Sequence, residues 1–281
     1  MEVNPQENLS ESIDASAKKK KNGWLSKFGL LGALLAVTKF GKLAAIAKVL
    51  FAALKASKFA ATFISMAATV VIYAQFYGWL LALGFIIAIF IHESGHVVAS
   101  KKVGLDVSAP MFIPFFGAFI AMKELPKSVK QEAISAIGGP VAGALVAAVC
   151  LLLWDITGSL YWVGLAYLTA FLNLFNLLPL GMLDGGRITK ALSPVIWVIG
   201  IVGAVILMLK LHAYILLLVL VLGVMELVSM IKNRHQMATY LQVEPQFRFK
   251  IGLAYLLLIT ILVGMMMYSL DLSQQFIGSM G

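Results

Sequence analysis

The sequence predicts an all-α polytopic membrane protein, and the scarcity of charged side chains is the first reason. Charged residues make up 12% of the 281 residues, whereas hydrophobic residues make up 61%. A soluble domain carries about twice that charged fraction. Stretches without Asp, Glu, Lys or Arg recur along the chain, at 59–91, 133–154, 156–183, 191–209 and 251–270. Each stretch can supply the roughly 20 apolar residues with which a helix spans a bilayer.

These stretches and the turn residues between them predict the helices in order. They are expected at about 61–77, 80–103, 131–153, 160–180, 190–209, 213–231 and 251–270. The segment 104–129 is different, because it contains three prolines around the oily centre MFIPFFGAFIAM. Proline breaks helices, and the oily centre is too short to span a bilayer. We therefore expect a short re-entrant or extended element at about 110–122, at the membrane edge.

The N-terminal region divides into two segments that precede the predicted core. Residues 1–22 are polar and end in four consecutive lysines, which is typical of a disordered cytosolic tail. Residues 23–58 are mostly apolar but contain recurrent lysines, which predicts a basic amphipathic segment on the membrane surface. A lysine-bearing helix packed against the bundle is the alternative. A transmembrane core at 59–190 and C-terminal transmembrane helices at 191–281 are expected to follow.

The distribution of Lys and Arg predicts the orientation in the membrane. When the N-terminus is cytosolic and the spans alternate, every Lys and Arg except Lys210 lies on the cytosolic side. Basic residues are enriched in cytosolic loops of membrane proteins. We therefore expect an external C-terminus and location in the cell membrane. The net charge of +9 then reflects this orientation, and no nucleic-acid partner is predicted.

The stretch FIHESGHVVA, residues 90–99, contains a motif typical of metal chemistry. His92 and His96 are four residues apart, so a helix presents both imidazoles on one face. In the HExxH pattern the histidines bind a metal ion and the glutamate, here Glu93, polarises a bound water. Two core histidines satisfied by hydrogen bonds are the alternative. A carboxylate inside a membrane helix costs roughly 2.5–3.5 kcal/mol, which favours a functional site.

A catalytic zinc ion usually has three protein ligands, so a third ligand is expected. Asp184 follows a predicted helix that descends to the cytosolic face, which puts it level with the two histidines. Gly185 and Gly186 are expected to allow a turn that helix geometry would forbid. Glu226 is the alternative third ligand, although it can instead pair with Lys232 or another residue.

Four short motifs together resemble a known family. They are HESGH at 92–96, Gly139-Pro140, Asn176-Leu177-Leu178-Pro179 and Leu183-Asp184-Gly185-Gly186. The motifs and their order resemble the site-2 protease family of intramembrane zinc metalloproteases. The resemblance covers about residues 80–190, which would form a three-helix metalloprotease core. The loop 104–129 is too short for a PDZ or CBS domain, so a compact member is expected.

The resemblance implies the roles of five residues. It implies one zinc ion per chain, held by His92, His96 and Asp184, with Glu93 as the catalytic base. It also implies that Asn176 lies near the substrate backbone or the transition state. A helix–helix hydrogen bond is the alternative for Asn176.

The expected function is hydrolysis of peptide bonds by an intramembrane zinc endopeptidase near the cytosolic face. Its substrate would be a single-pass membrane protein or a membrane-bound hydrophobic peptide within the lipid bilayer. The extended element can pair with unwound substrate as an added strand, with Phe119 and Ile120 in contact, or it can merely plug the core. Two other functions remain open: another HExxH membrane metalloprotease that uses Glu226 as a ligand, and a non-proteolytic transporter or immunity protein on the same scaffold.

Overall fold

The computed structural model describes residues 60–113, 117–121, 124–193, 195–211 and 215–279. The predicted cytosolic tail at 1–22 and the predicted basic segment at 23–58 lie outside the described residues. From Ala61 onward the chain forms one compact unit.

Nine helices and two strands occur in this part of the chain. In chain order they are α1 (Ala60–Tyr77), α2 (Trp79–Lys102), β1 (Met111–Ile113), β2 (Gly117–Phe119), α3 (Val129–Thr157), α4 (Leu160–Asn176), α5 (Asp184–Leu192), α6 (Val195–Leu211), α7 (Ile215–Lys232), α8 (Arg234–Tyr240) and α9 (Pro245–Gly278). By length and composition, α1, α2, α3 and α9 can each cross a membrane, and α4 and α6 are shorter apolar helices. The predicted all-α polytopic fold is thus confirmed, and the chain is a multi-pass membrane protein.

Small residues allow the central helices α2, α3 and α4 to pack closely. A Cβ atom on Gly95 of α2 would overlap the backbone of Gly138 on α3. One at Gly143 of α3 would overlap the amide of Asn173 on α4. Close backbone approach at small residues is the usual packing mode of helices in membranes. This packing brings the polar residues of three helices together.

The predicted extended element is a two-stranded antiparallel sheet. Met111 pairs with Phe119, Phe112 with Ala118 and Ile113 with Gly117. The hydroxyl group of Thr62 donates a hydrogen bond of 2.5 Å to the Pro110 carbonyl. The N–H group of Phe112 donates to the Ser65 hydroxyl, at 3.1 Å. Helix α1 therefore covers the outer edge of β1.

The structure differs from the sequence prediction around residues 177–192 and 234–240. The predicted helix at 160–180 ends earlier, at Asn176, and two short helices, α5 and α8, were not predicted. Helix α5 has the sequence DGGRITKAL, which contains two glycines and three charged residues. Such a segment has low helix propensity, so hydrophobicity alone gave no signal for it. Contacts with neighbouring elements hold it in place instead.

Candidate metal centre

Three side chains converge where α2 approaches the start of α5. The Nε2 atoms of His92 and His96 are 3.1 Å apart. An oxygen of the Asp184 carboxylate, Oδ2, lies 3.3 Å from Nε2 of His92 and 3.2 Å from Nε2 of His96. The three atoms form a nearly equilateral triangle, and they belong to the three residues that the sequence singled out.

Hydrogen bonds of the two Nδ1 atoms determine that the Nε2 atoms are available to bind a metal ion. The Nδ1 atom of His92 lies 2.8 Å from Oδ1 of Asn173, and the Asn173 Nδ2 group donates to the Thr169 carbonyl at 2.7 Å. That second bond orients the amide so that Oδ1 faces the imidazole. The Nδ1 atom of His96 lies 2.9 Å from the Ser135 carbonyl. Because both partners are acceptors, each Nδ1 carries the proton, and each Nε2 is left with a lone pair.

This arrangement suits a metal ion better than a set of satisfied core histidines. Two unprotonated nitrogens and a carboxylate oxygen are all acceptors, and they repel one another at such short distances. A cation among them removes the repulsion. In a tetrahedral site with metal–ligand bonds of 2.0–2.1 Å, ligand atoms lie about 3.3 Å apart. His92, His96 and Asp184 thus fit such an ion, and they form a possible metal-binding group among the described residues.

Glycines hold the ligands in place by allowing close contact. A Cβ atom on Gly139 of α3 would overlap the imidazole ring of His96. Cβ atoms on Gly185 and Gly186 would overlap the backbone of Leu177 and Leu180. The expectation of a non-helical turn at Gly185 and Gly186 was therefore wrong. Both glycines are helical, and they are needed because the preceding loop packs directly on the first turn of α5.

Asp184 begins α5, at the positive end of the helix dipole, where a carboxylate is stabilised. The helix dipole thus favours the ionised carboxylate, which is the form that binds a metal ion.

The metal-binding group of His92, His96 and Asp184 lines a cavity of about 250 Å³. Glu93, Asn176, Ala118 and Ile120 are among the residues that line it. Glu93 is buried and lines this cavity, and it is not one of the three residues of the triangle. The Nδ2 atom of Asn176 lies 3.5 Å from Nε2 of His92, at the edge of the site. The backbone of Phe119 belongs to β2, and its side chain is not described.

Two of the lining residues, Ala118 and Ile120, belong to β2 and to the segment directly after it. Because the N–H group of Phe112 points to α1, Phe112 and Ala118 form a non-hydrogen-bonded pair of the antiparallel sheet. The backbone N–H and C=O groups of Ala118 therefore face away from β1. Further along, Ser108 donates its N–H to the Ala121 carbonyl at 2.8 Å, so Ala121 faces inward and Ile120 faces outward.

Glu226 does not reach the metal-binding group, and its prediction as the alternative third ligand was wrong. Its Oε1 atom lies 2.9 Å from the Lys190 ammonium group. Helix α7 thus presents Glu226 to the C-terminal end of α5, whereas the ligand triangle lies at the N-terminal end. The alternative reading of Glu226 as a paired charge is correct, with Lys190 as the partner rather than Lys232.

Sequence reasoning missed the residues that orient the ligands. Asn173 could have been predicted from the sequence, because it is a polar residue within an apolar helix, one turn before Asn176. The Ser135 carbonyl is a backbone group and leaves no trace in the sequence. The partners of Lys190 are also distant in sequence, since Glu132 and Glu226 come from α3 and α7.

Comparisons with known proteins agree with this site. Residues 80–158 match the model of Peptidase family M50. The predicted resemblance to the site-2 protease family is confirmed. Zinc metalloprotease MJ0392 of Methanocaldococcus jannaschii is 32% identical over 113 residues, which are 38% of this chain and 32% of that protein. Rip3 of Mycobacterium tuberculosis is 32% identical over 126 residues, which are 40% of this chain and 32% of that protein.

A solved structure, the site-2 protease from Methanocaldococcus jannaschii, is also similar. It has 22% sequence identity and a TM-score of 0.39, over 65% of this chain and 89% of that chain. The alignments with the two curated relatives each span about a third of the relative's length. The family match covers α2 and α3, and hence His92, Glu93 and His96, whereas Asp184 lies beyond it.

Proposed function

We propose that this protein is an intramembrane zinc endopeptidase. One zinc ion would be held by His92, His96 and Asp184, which line the cavity. The observation that carries the proposal is the triangle of three acceptor atoms 3.1–3.3 Å apart, with a non-ligating carboxylate in the same cavity. A structural zinc site would instead be closed by a fourth protein ligand.

The proposed reaction is hydrolysis of a peptide bond. When bound, zinc supplies a Lewis acid that polarises the peptide carbonyl and makes a coordinated water more acidic. Glu93 takes a proton from the attacking water and delivers it to the leaving nitrogen. The water oxygen bonds to the peptide carbon, the C–N bond breaks, and a carboxylate and an amine are released. Asn173 and the Ser135 carbonyl keep the imidazoles in the tautomer that ligation needs, as is usual for groups around a metal site.

Asn176 has a separate role in this proposal. Its amide lines the cavity at 3.5 Å from Nε2 of His92, a distance too long for a strong hydrogen bond. An amide N–H group there can donate to the carbonyl oxygen of a substrate as negative charge develops on it. The shorter interhelical bond to His92, at 2.8 Å, is made by Asn173, and this supports a separate role for Asn176.

The proposed substrate is a single-pass membrane protein or a membrane-bound hydrophobic peptide. A transmembrane helix buries its peptide groups in its own hydrogen bonds and must unwind before hydrolysis. The outward-facing backbone groups of Ala118 and Ile120 can pair with the unwound segment as an added strand. This pairing would partly replace the helical hydrogen bonds and would bring the scissile bond to the cavity. Ile120 contributes to the cavity wall, which gives the plug interpretation less support.

The proposed orientation puts the N-terminus in the cytosol and the C-terminus outside the cell membrane. The basic residues Lys101 and Lys102 end α2, only one to two turns beyond His96. Cytosolic loops carry an excess of Lys and Arg. The metal-binding group would therefore lie within the bilayer but close to its cytosolic face, where water can reach it.

Metal analysis of the purified protein tests the proposed site. We expect about one zinc ion per wild-type chain, a large loss in the double variant His92→Ala/His96→Ala, and a loss in Asp184→Ala. Glu244→Ala serves as the carboxylate control, because its exposed carboxylate pairs with Lys130, and it should retain zinc. Full zinc occupancy of the double histidine variant would contradict the proposal.

A further inference from the structure

A second cluster of charged residues lies at the far end of α5, away from the metal-binding group. The Lys190 ammonium group lies 2.9 and 3.2 Å from the two carboxylate oxygens of Glu132, and 2.9 Å from Oε1 of Glu226. The hydroxyl group of Tyr240 donates to Oε2 of Glu132 at 2.6 Å. We call these four residues the Lys190 cluster. It connects α5 with α3, α7 and α8.

Lys190 and Glu132 are the buried pair of the cluster, whereas Glu226 and Tyr240 are partly buried. Lys190 is 7% exposed and Glu132 is 8% exposed, and the ammonium group also lies 5.3 Å from the centre of the Trp197 ring. Burial and the negative charge of Glu132 raise the pKa of Tyr240 well above its usual value, so its hydroxyl group remains a donor. Charges in a membrane protein are costly unless they are paired, and such residues usually have a function. The catalytic steps proposed above do not use them.

Helix α5 links this cluster to the metal-binding group. Asp184 is its first residue and Lys190 lies in its last turn, about 9 Å away along the helix axis at 1.5 Å per residue. Such a short helix behaves as one rigid body, so movement of the Lys190 end tilts the Asp184 end. Helix α7 contacts this region at two points. Its Glu226 pairs with Lys190, and its Gly223 lies close to Gly181 in the loop before α5.

We infer that Lys190 is a positioning residue for the metal ligand Asp184, and that Glu226 makes α7 part of the metal site's support. Glu132 on α3 fixes Lys190 to the helix that also carries the Ser135 carbonyl, the partner of His96. Glu226 connects α7 to Lys190, and Tyr240 connects α8 to Glu132. The inference rests on the proposed metal site, because it assigns these helices a role in holding one ligand relative to the other two.

Zinc affinity, measured by chelator competition on the purified full chain in detergent, tests this inference. We expect Lys190→Met to weaken zinc binding about 10- to 100-fold, the usual effect of removing a group that orients a metal ligand. Lys190→Arg should recover part of the loss. The absorption spectrum of the Co²⁺-loaded protein should also change in Lys190→Met, because it reports the geometry of the ligands. A residue that supports only the fold would lower the melting temperature without changing either property.

Lys130→Met is the matched control. Lys130 also lies on the cytosolic side and pairs with a glutamate, Glu244, but the pair is exposed, 3.8 Å apart and unconnected to α5. The zinc affinity of Lys130→Met should equal that of wild type. If Lys190→Met does not fold, Glu226→Gln decides the question, because it keeps the Lys190–Glu132 pair and should still weaken zinc binding.

Wild-type zinc affinity in Lys190→Met, or in Glu226→Gln when that variant decides, would overturn the inference and leave the metal site intact. Absence of zinc from the wild-type protein would overturn the metal site itself, and the inference with it.

Discussion

Asn173 offers a sharp test of how the metal-binding group is held, because it makes one defined contact with His92. Asn173→Leu keeps the approximate size of the side chain but removes the acceptor of the Nδ1–H group. The His92 imidazole is buried, so that donor would lose its partner without gaining water. An unsatisfied buried donor costs about 1–3 kcal/mol. Without zinc, the proton of the variant can move to Nε2, which lies 3.3 Å from the Asp184 carboxylate. Zinc requires an unprotonated Nε2, so the cost applies to the zinc-bound form and lowers zinc affinity.

The expected loss can be expressed as a change in the dissociation constant. At about 1.4 kcal/mol per factor of ten, a cost of about 1–3 kcal/mol weakens zinc binding roughly 5- to 150-fold. Asn173→Asp is the matched control, because a carboxylate still accepts the Nδ1–H bond although the donor to the Thr169 carbonyl is lost. It should bind zinc more tightly than Asn173→Leu. Chelator competition on proteins purified in parallel measures both values. Equal affinities of wild type and Asn173→Leu would refute the proposed tautomer and orientation of His92.

Two further predictions concern orientation and substrate binding. Single cysteines at Ser16 and Ser279, on a Cys150→Ala background, should react with a membrane-impermeant thiol reagent from opposite sides; labelling from one side would disprove the topology. Proline at Ala118 or Ile120 should reduce proteolysis strongly and leave zinc content unchanged, because proline removes an outward-facing N–H group but no bond between β1 and β2. Valine at the same positions should have little effect, and equal tolerance of proline and valine would exclude backbone pairing there.

The sequence predicted the residues of the metal-binding group because their signals are local. His92 and His96 are linked by the four-residue helical period, and Asp184 follows a break in an apolar stretch. Membrane helices are also easy to predict, because the bilayer demands long apolar segments. The weaker signals were conformational: Gly185 and Gly186 indicated a turn, but tertiary packing on Leu177 and Leu180 requires them within a helix.

Contacts between residues far apart in the chain could not be predicted. His92 and Asn173 are separated by 81 positions, and Glu132 and Lys190 by 58. Which helices become neighbours depends on complementary packing of small residues, such as Gly95 against Gly138, and not on any single segment. For the same reason the sequence is compatible with Glu226 as a ligand, because the direction of its side chain depends on which helices are its neighbours.

Hydrolysis of peptide bonds in this cavity, with Glu93 as the base, is tested most directly by mass spectrometry of candidate membrane peptides that are co-expressed with wild type or with Glu93→Gln. We expect specific cleavage products with wild type and none with Glu93→Gln, while both proteins contain about one zinc ion per chain. Near wild-type turnover by the zinc-loaded Glu93→Gln variant would contradict this role of Glu93.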